Sequence, residues 1–252
     1  MKQSFLKFSL CGVLLAVILG IFLMPHEAMA QSLSLDFGKE GGSATAKMIQ
    51  IILLITLLSI APSILVMVTC FTRIIVVLSL LRTALGTQQT PPNQVLIALA
   101  LFLTLFIMAP TIQKSYEDGM LPLINEEIGE QEALEKMAQP FHTFMMAHVR
   151  DKDLELFANM VPNLKMETPE DTPYRILVPA FMISELKRAF EIGFLIFVPF
   201  LIIDMLISSI LMAMGMMMLP PVIIALPFKI IFFVLVDGWY MVAGSLVRSY
   251  GM

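Results

Sequence analysis

PAFMISELKRAFEIGF, Pro179 to Phe194, runs without interruption into the uncharged stretch that begins at Leu195. Glu185, Lys187, Arg188 and Glu191 alternate with Phe181, Leu186 and Phe190 at helical spacing. Glu185 with Arg188, and Lys187 with Glu191, fall at i,i+3 and i,i+4, where opposite charges support a helix. Ordinary membrane anchors end in a scatter of basic residues, whereas this segment carries a balanced charge set to the edge of an apolar run. Two readings follow: an interfacial helix whose charges satisfy one another, or a docking surface between membrane-embedded subunits that uses Glu185, Lys187 and Arg188.

Downstream, one apolar span is expected from about Ile192 to Gly215 and another from about Val222 to Val247, with Pro220-Pro221 turning the chain between them. Upstream, Met48 to Thr72 is uncharged and long enough to cross roughly 30 Å of hydrocarbon as a helix. A further uncharged run extends from Thr83 to Gln113, interrupted by Pro91-Pro92. The expected fold is an all-α membrane protein with two apolar helical hairpins, hence four nominal transmembrane helices.

Composition agrees. The chain has 252 residues, 58% hydrophobic and 14% charged, which is not the balance of a soluble globular protein. Its net charge of −4 offers no basic face for nucleic acid. At the N-terminus, Lys2 and Lys7 precede the apolar run Phe8 to Met24, and Ala28-Met29-Ala30 is a small-x-small site. This predicts a cleavable signal peptide cut after Ala30, with an uncleaved anchor as the alternative. Cleavage leaves one cysteine, Cys70, and so no internal disulfide.

The hairpins flank a polar, mostly acidic insert. Predicted domains are a signal peptide at 1–30, a lead and first hairpin at 31–113, the insert at 114–175 and a second hairpin with a methionine loop at 176–252. Arg73 and Arg82, read as a short loop between the first two spans, carry no accompanying acid. The positive-inside rule puts that loop in the cytoplasm and the insert in the periplasm. Within the insert, Leu134, Met137, Phe141, Phe144, Met145 and His148 form one helical stripe, and Leu154, Phe157, Met160 and Val161 a second. The stripes can pack on each other. Because some sixty residues seldom build a robust core alone, Phe144 or Phe157 is expected to meet a neighbouring subunit.

No nucleotide, metal or hydrolase motif occurs, so neither an enzyme nor a cofactor is expected. His142 and His148 are six residues apart and share no helical face as ligands would. Asp204 sits inside the third expected span, and Lys229 and Asp237 inside the fourth. Such charges face protein or water and either fix packing or relay ions. Counted from Pro220-Pro221, Asp204 and Lys229 lie at different depths in one hairpin, and they could still pair between neighbouring subunits. A small ion-coupled transporter using these three residues is the alternative function. LMAMGMMML, Leu211 to Leu219, is unusual. Consecutive Met216, Met217 and Met218 cannot share a helical face. They suit a loop that forms a soft apolar constriction, methionine being flexible and polarisable.

Taken together, PAFMISELKRAFEIGF, MGMMMLPP, PFKIIFFVLVDGW (Pro227 to Trp239) and SILVMVTCFTRIIVVLSLLRTALGTQQTPPNQVL (Ser63 to Leu96) resemble the FliP family of bacterial flagellar export-gate proteins. The resemblance implies a homo-oligomer that joins FliQ and FliR in a helical channel, with FlhB and FlhA added and FliO assisting assembly. Unfolded flagellar subunits would pass through it, in the inner membrane at the flagellar basal body, among membrane lipid. The resemblance also implies a pore gasket at Met216 to Met218, an inter-subunit contact at Glu185, and intramembrane charged positions at Asp204 and Lys229. It further implies interlocked hairpins that sit partly above the bilayer in the assembly.

Overall fold

The computed structural model describes residues 44–87, 89–161, 171–216 and 219–251. The expected signal peptide with its cut after Ala30, and Met217 and Met218, lie outside the described residues. The chain divides into two units, Met1–Leu54 and Ile55–Met252. Of the first, only the opening turns of α1 (Ala44–Val68) are described. Everything below concerns the second.

That unit is helical, and there is no strand among the described residues. After α1 come α2 (Phe71–Leu85) and α3 (Asn93–Ser115). A π-helical turn, Tyr116–Met120, follows, and then the short α4 (Leu121–Ile124). The insert supplies α5 (Glu130–His148) and α6 (Asp151–Ala158). The chain closes with α7 (Tyr174–Ala213), α8 (Pro221–Leu235) and α9 (Gly238–Arg248).

Local chemistry sets the boundaries. Gly86 takes a left-handed conformation (φ 78°) and ends α2, its N–H bonding the Thr83 carbonyl. Pro92 and Pro173 cap α3 and α7 from extended conformations. Pro221 occupies the first turn of α8, where its missing N–H would find no intrahelical partner anyway.

The spine is α7, a single helix of 40 residues and so about 60 Å long. That is roughly twice the hydrocarbon thickness. The expected interfacial segment and third span are therefore one continuous helix. Among the described residues, three helices, α1, α3 continued through α4, and α7, are long and apolar enough to cross a membrane. A fourth candidate, α8 with α9, is bent by 62°. The fourth span is thus a broken one, with the break between Leu235 and Gly238.

The first hairpin differs more. The segment read as a loop carrying Arg73 and Arg82 is α2 itself, the most buried helix of the unit. Its Ile74, Val77 and Leu78 meet Leu96, Ala100, Ile107 and Met108 of α3, Ala189 of α7, and Leu246 and Tyr250 near the C-terminus. The Pro91-Pro92 turn joins α2 to α3, not the first span to the second. Arg73 is therefore a core residue and not a topology signal.

Among its described residues the insert builds no core of its own. Met145 and Val149 pack against Leu177, Ala180 and Phe181 of α7, with Leu154 and Phe157 at the margin. Leu134 and Met160, placed in the apolar stripes by periodicity, are exposed. A third cluster, Leu81, Ala84, Leu85, Phe200 and Phe233, ties α2 to α7 and α8.

Candidate functional site

The sequence places Glu185 beside Arg188, but the structure turns it inward to Arg73 of α2. The side chains of Glu185 and Arg73 are 0% and 1% exposed. Arg73 Nε donates to Glu185 Oε2 at 2.9 Å, and Nη2 pairs with Oε1 in the fork geometry that guanidinium and carboxylate share. The Tyr250 hydroxyl also donates to Oε2. Arg73 Nη1 donates to Ser249 Oγ at 2.9 Å, and the guanidinium lies 3.9 Å from the Tyr250 ring centroid. Burying one ion costs several kcal/mol, so such a pair persists only when its remaining lone pairs and protons are satisfied. Here α2, α7 and the C-terminal residues supply the partners.

Ser184, next to Glu185 in sequence, anchors a second cluster with the insert. Ser184 Oγ donates to Asp153 Oδ2 at 2.6 Å, and Arg150 clasps Asp153 through Nε (2.8 Å) and Nη2 (2.9 Å). Burial raises the Asp153 pKa, but the Ser184 and Arg150 hydrogen bonds outweigh it and hold the carboxyl below its ordinary value. Lys187 and Glu191 pair at 3.1 Å on the exposed face of α7, where such a bond is worth only a few tenths of a kcal/mol. Arg188 is half-buried. Phe144 stacks on Tyr250 at 5.9 Å and meets Phe181 edge-on at 6.0 Å. Phe144 and Phe157 both have contacts inside their own chain, as does Glu185.

A second charge site joins α7 to α8. Lys229 is buried and donates to Asp204 Oδ2 at 2.6 Å and to the Ala84 carbonyl at 3.1 Å. The depth expectation is thus corrected: the two pair within one chain. Measured from the helix ends Ala213 and Pro221, and not from the Pro-Pro turn, they are nearly level. The other carboxylate oxygen, Asp204 Oδ1, is buried without a hydrogen-bond partner among the described residues.

The structure does not bring Asp237 to this pair. It lies exposed at the α8–α9 break in a left-handed conformation (φ 52°). Gly238 must be glycine, because a Cβ there would stand 2.1 Å from the Phe233 ring.

The methionine turn is built by α7's C-terminus. Gly215 is left-handed (φ 71°), and Met216 N–H reaches back to the Leu211 carbonyl at 3.0 Å, closing the helix in a Schellman-type turn. Met212, Met214 and Met216 are all exposed around it. Met216 also lines a cleft of about 230 Å³ with Ser208, Leu211 and Pro221.

Sequence reasoning missed Arg73, Ser249 and Tyr250. A signal for Arg73 was present: it is one of two charges between Met48 and Gln113, and a lone charge in an apolar stretch needs a buried partner. No local pattern marked Tyr250, whose partners lie far away in sequence.

Comparison with known proteins gives one answer. The model of the FliP family matches residues 54–246. The flagellar biosynthetic protein FliP of Caulobacter vibrioides is 54% identical over 243 residues, covering 96% of this chain and 90% of that protein. FliP of Bacillus subtilis is 56% identical over 211 residues, covering 84% and 94%. FliP of Aquifex aeolicus is 50% identical over 214 residues, covering 84% and 90%. With a family match over most of its length and relatives at this identity, the chain belongs to the FliP family.

Proposed function

We propose that this protein is a pore-forming core subunit of the flagellar type III export gate, conducting unfolded flagellar subunits across the bacterial inner membrane for flagellum assembly. The observation that carries the pore is the methionine turn. Met212, Met214 and Met216 stand exposed at the end of the α7–α8 hairpin, where neither a packed core nor a polar loop needs them. Several copies around an axis would bring these turns, with Met217 and Met218, into one apolar collar. A collar of flexible side chains closes when empty and yields to varied passengers.

The buried ion pairs fit a subunit of this kind. Arg73–Glu185 and Asp204–Lys229 hold α2, α7 and α8 together inside one chain. The outer faces of α1 and α7 are left apolar and uncovered for neighbouring copies, FliQ, FliR and lipid. FlhB, FlhA and FliO belong to the same proposal as later additions and assembly help. The transporter reading draws less support. Lys229 is buried and held by Asp204 and a backbone carbonyl, and Asp237 stands apart at the helix break.

The test is co-expression of the tagged chain with FliQ- and FliR-like partners, mild extraction, and the intact mass of the complex. A multi-copy assembly containing both partners supports the proposal. A monomer or plain dimer that ignores them overturns it.

A further inference from the structure

Where α3 passes through its π-helical turn beside α5, the surface forms a groove of about 380 Å³. Pro110, Lys114, Asp118, Gln139 and Thr143 line it, with the edge of Phe144. Its shape is fixed from below. Ser115 Oγ donates to the Met137 carbonyl at 2.8 Å. Gly119 packs so closely on α5 that a Cβ would come within 2.4 Å of Met137 Cγ and 2.9 Å of the Ala133 carbonyl.

Lys114 and Asp118 are four residues apart, a spacing that pairs opposite charges on a regular α-helix. The π-helical turn, Tyr116–Met120, begins between them and contains Asp118, which changes the register. Both side chains are exposed in the groove, and no ion pair joins either of them among the described residues. Burial holds His148, at the groove's edge, below its ordinary pKa, so near neutral pH it adds no positive charge. The groove therefore offers one cation and one anion, separate and facing outward.

Its position adds a second constraint. Lys114 is the first charged residue after the uncharged run that begins at Thr83, so it marks where the apolar part of α3 ends. Phe102, Phe106, Pro110 and Lys114 follow one another at four-residue steps and form one row along the helix. Phe102 and Phe106 are 77% and 64% exposed. An exposed apolar track thus leads directly into a groove with separated positive and negative groups.

From this geometry we infer that the groove binds one phospholipid with a zwitterionic primary-amine headgroup, a phosphatidylethanolamine. The Lys114 ammonium takes the phosphate, and the Gln139 side-chain amide adds a hydrogen-bond donor. The Asp118 carboxylate, an acceptor only, takes the lipid ammonium, and the acyl chains lie along Phe106 and Phe102. An anionic headgroup would meet the Asp118 charge. A choline headgroup has no N–H to donate to it.

The test is native mass spectrometry of the full-length protein in detergent. It is titrated with phosphatidylethanolamine, phosphatidylcholine or phosphatidylglycerol of matched acyl chains, and with the chain-free headgroup glycerophosphoethanolamine. The expected result is one retained phosphatidylethanolamine per chain. Retention falls by about fivefold or more in Asp118→Asn and in Lys114→Met, and by a similar factor when phosphatidylcholine replaces it. Both residues are exposed, so the variants should melt with the wild type, which checks their folding. Equal retention in wild type and variants overturns the inference, as does a preference for phosphatidylglycerol. Displacement by glycerophosphoethanolamine at equal concentration would make the groove a soluble-ligand site and overturn it too.

Discussion

Arg73 and Glu185, 112 residues apart in sequence, face each other as a two-point ion pair with both side chains sealed from solvent. The contact joins α2 to the first third of α7, and through Tyr250 it also fastens the C-terminal residues. Removing one partner leaves a buried uncompensated charge. Arg73→Ala or Glu185→Ala should therefore cost about 3–5 kcal/mol. A double change to apolar residues of similar volume, Arg73→Met with Glu185→Leu, should cost much less. Denaturation of the purified chain in detergent, read by helical content, checks this. Single variants as stable as wild type would refute the pairing.

Tyr250→Phe keeps the ring over the Arg73 guanidinium but removes the hydroxyl that donates to Glu185. A hydrogen bond to a charged group is worth about 1.5–3 kcal/mol. The variant should be less stable by an amount in that range, and Tyr250→Ala should lose more because the stacking on Phe144 goes as well. The same denaturation measurement separates the two.

Lys229→Ala should leave Asp204 without its partner, but the Asp204 side chain is 37% exposed, so the loss should be smaller than at Arg73–Glu185, about 1–3 kcal/mol. Asp237→Asn should change it little, because that residue is exposed and apart from the pair. Measured side by side, equal effects would show that the pairing is not as described.

Asp153 gives the insert a pH dependence of definite sign. Its folded pKa lies below the ordinary value of 3.8, so the unfolded chain takes up its proton first as pH falls. The stabilisation is present in full above that ordinary range and is lost as pH drops through the folded value. Proteolytic protection of α6 should weaken there in the wild type. Asp153→Asn should be less protected at neutral pH and lack this step. An unchanged acid profile in Asp153→Asn would assign the step to another group.

Much of the architecture could be read from local patterns. The α7–α8 hairpin follows from long apolar runs broken by Pro220-Pro221, and α5 from apolar residues at three- and four-residue steps. Lys187–Glu191 forms as helical spacing predicts. What local pattern could not supply was register across the fold. Asp204 and Lys229 look mismatched when counted from the prolines, because α7 ends at Ala213, several residues earlier. Arg73 looks like a loop charge until its carboxylate, far along the chain, is known. The break in the last apolar stretch was also hidden: Asp237-Gly238 is a turn signal, but the hydrophobic run on both sides conceals it.

The central claim is that the methionine turn closes a pore, and ion leak tests it most directly. Met216, Met217 and Met218 changed together to Ala should still assemble with the FliQ- and FliR-like partners. In vesicles or a planar bilayer the variant complex should pass small ions that the wild-type complex holds back. A variant assembly as tight as wild type would contradict the account.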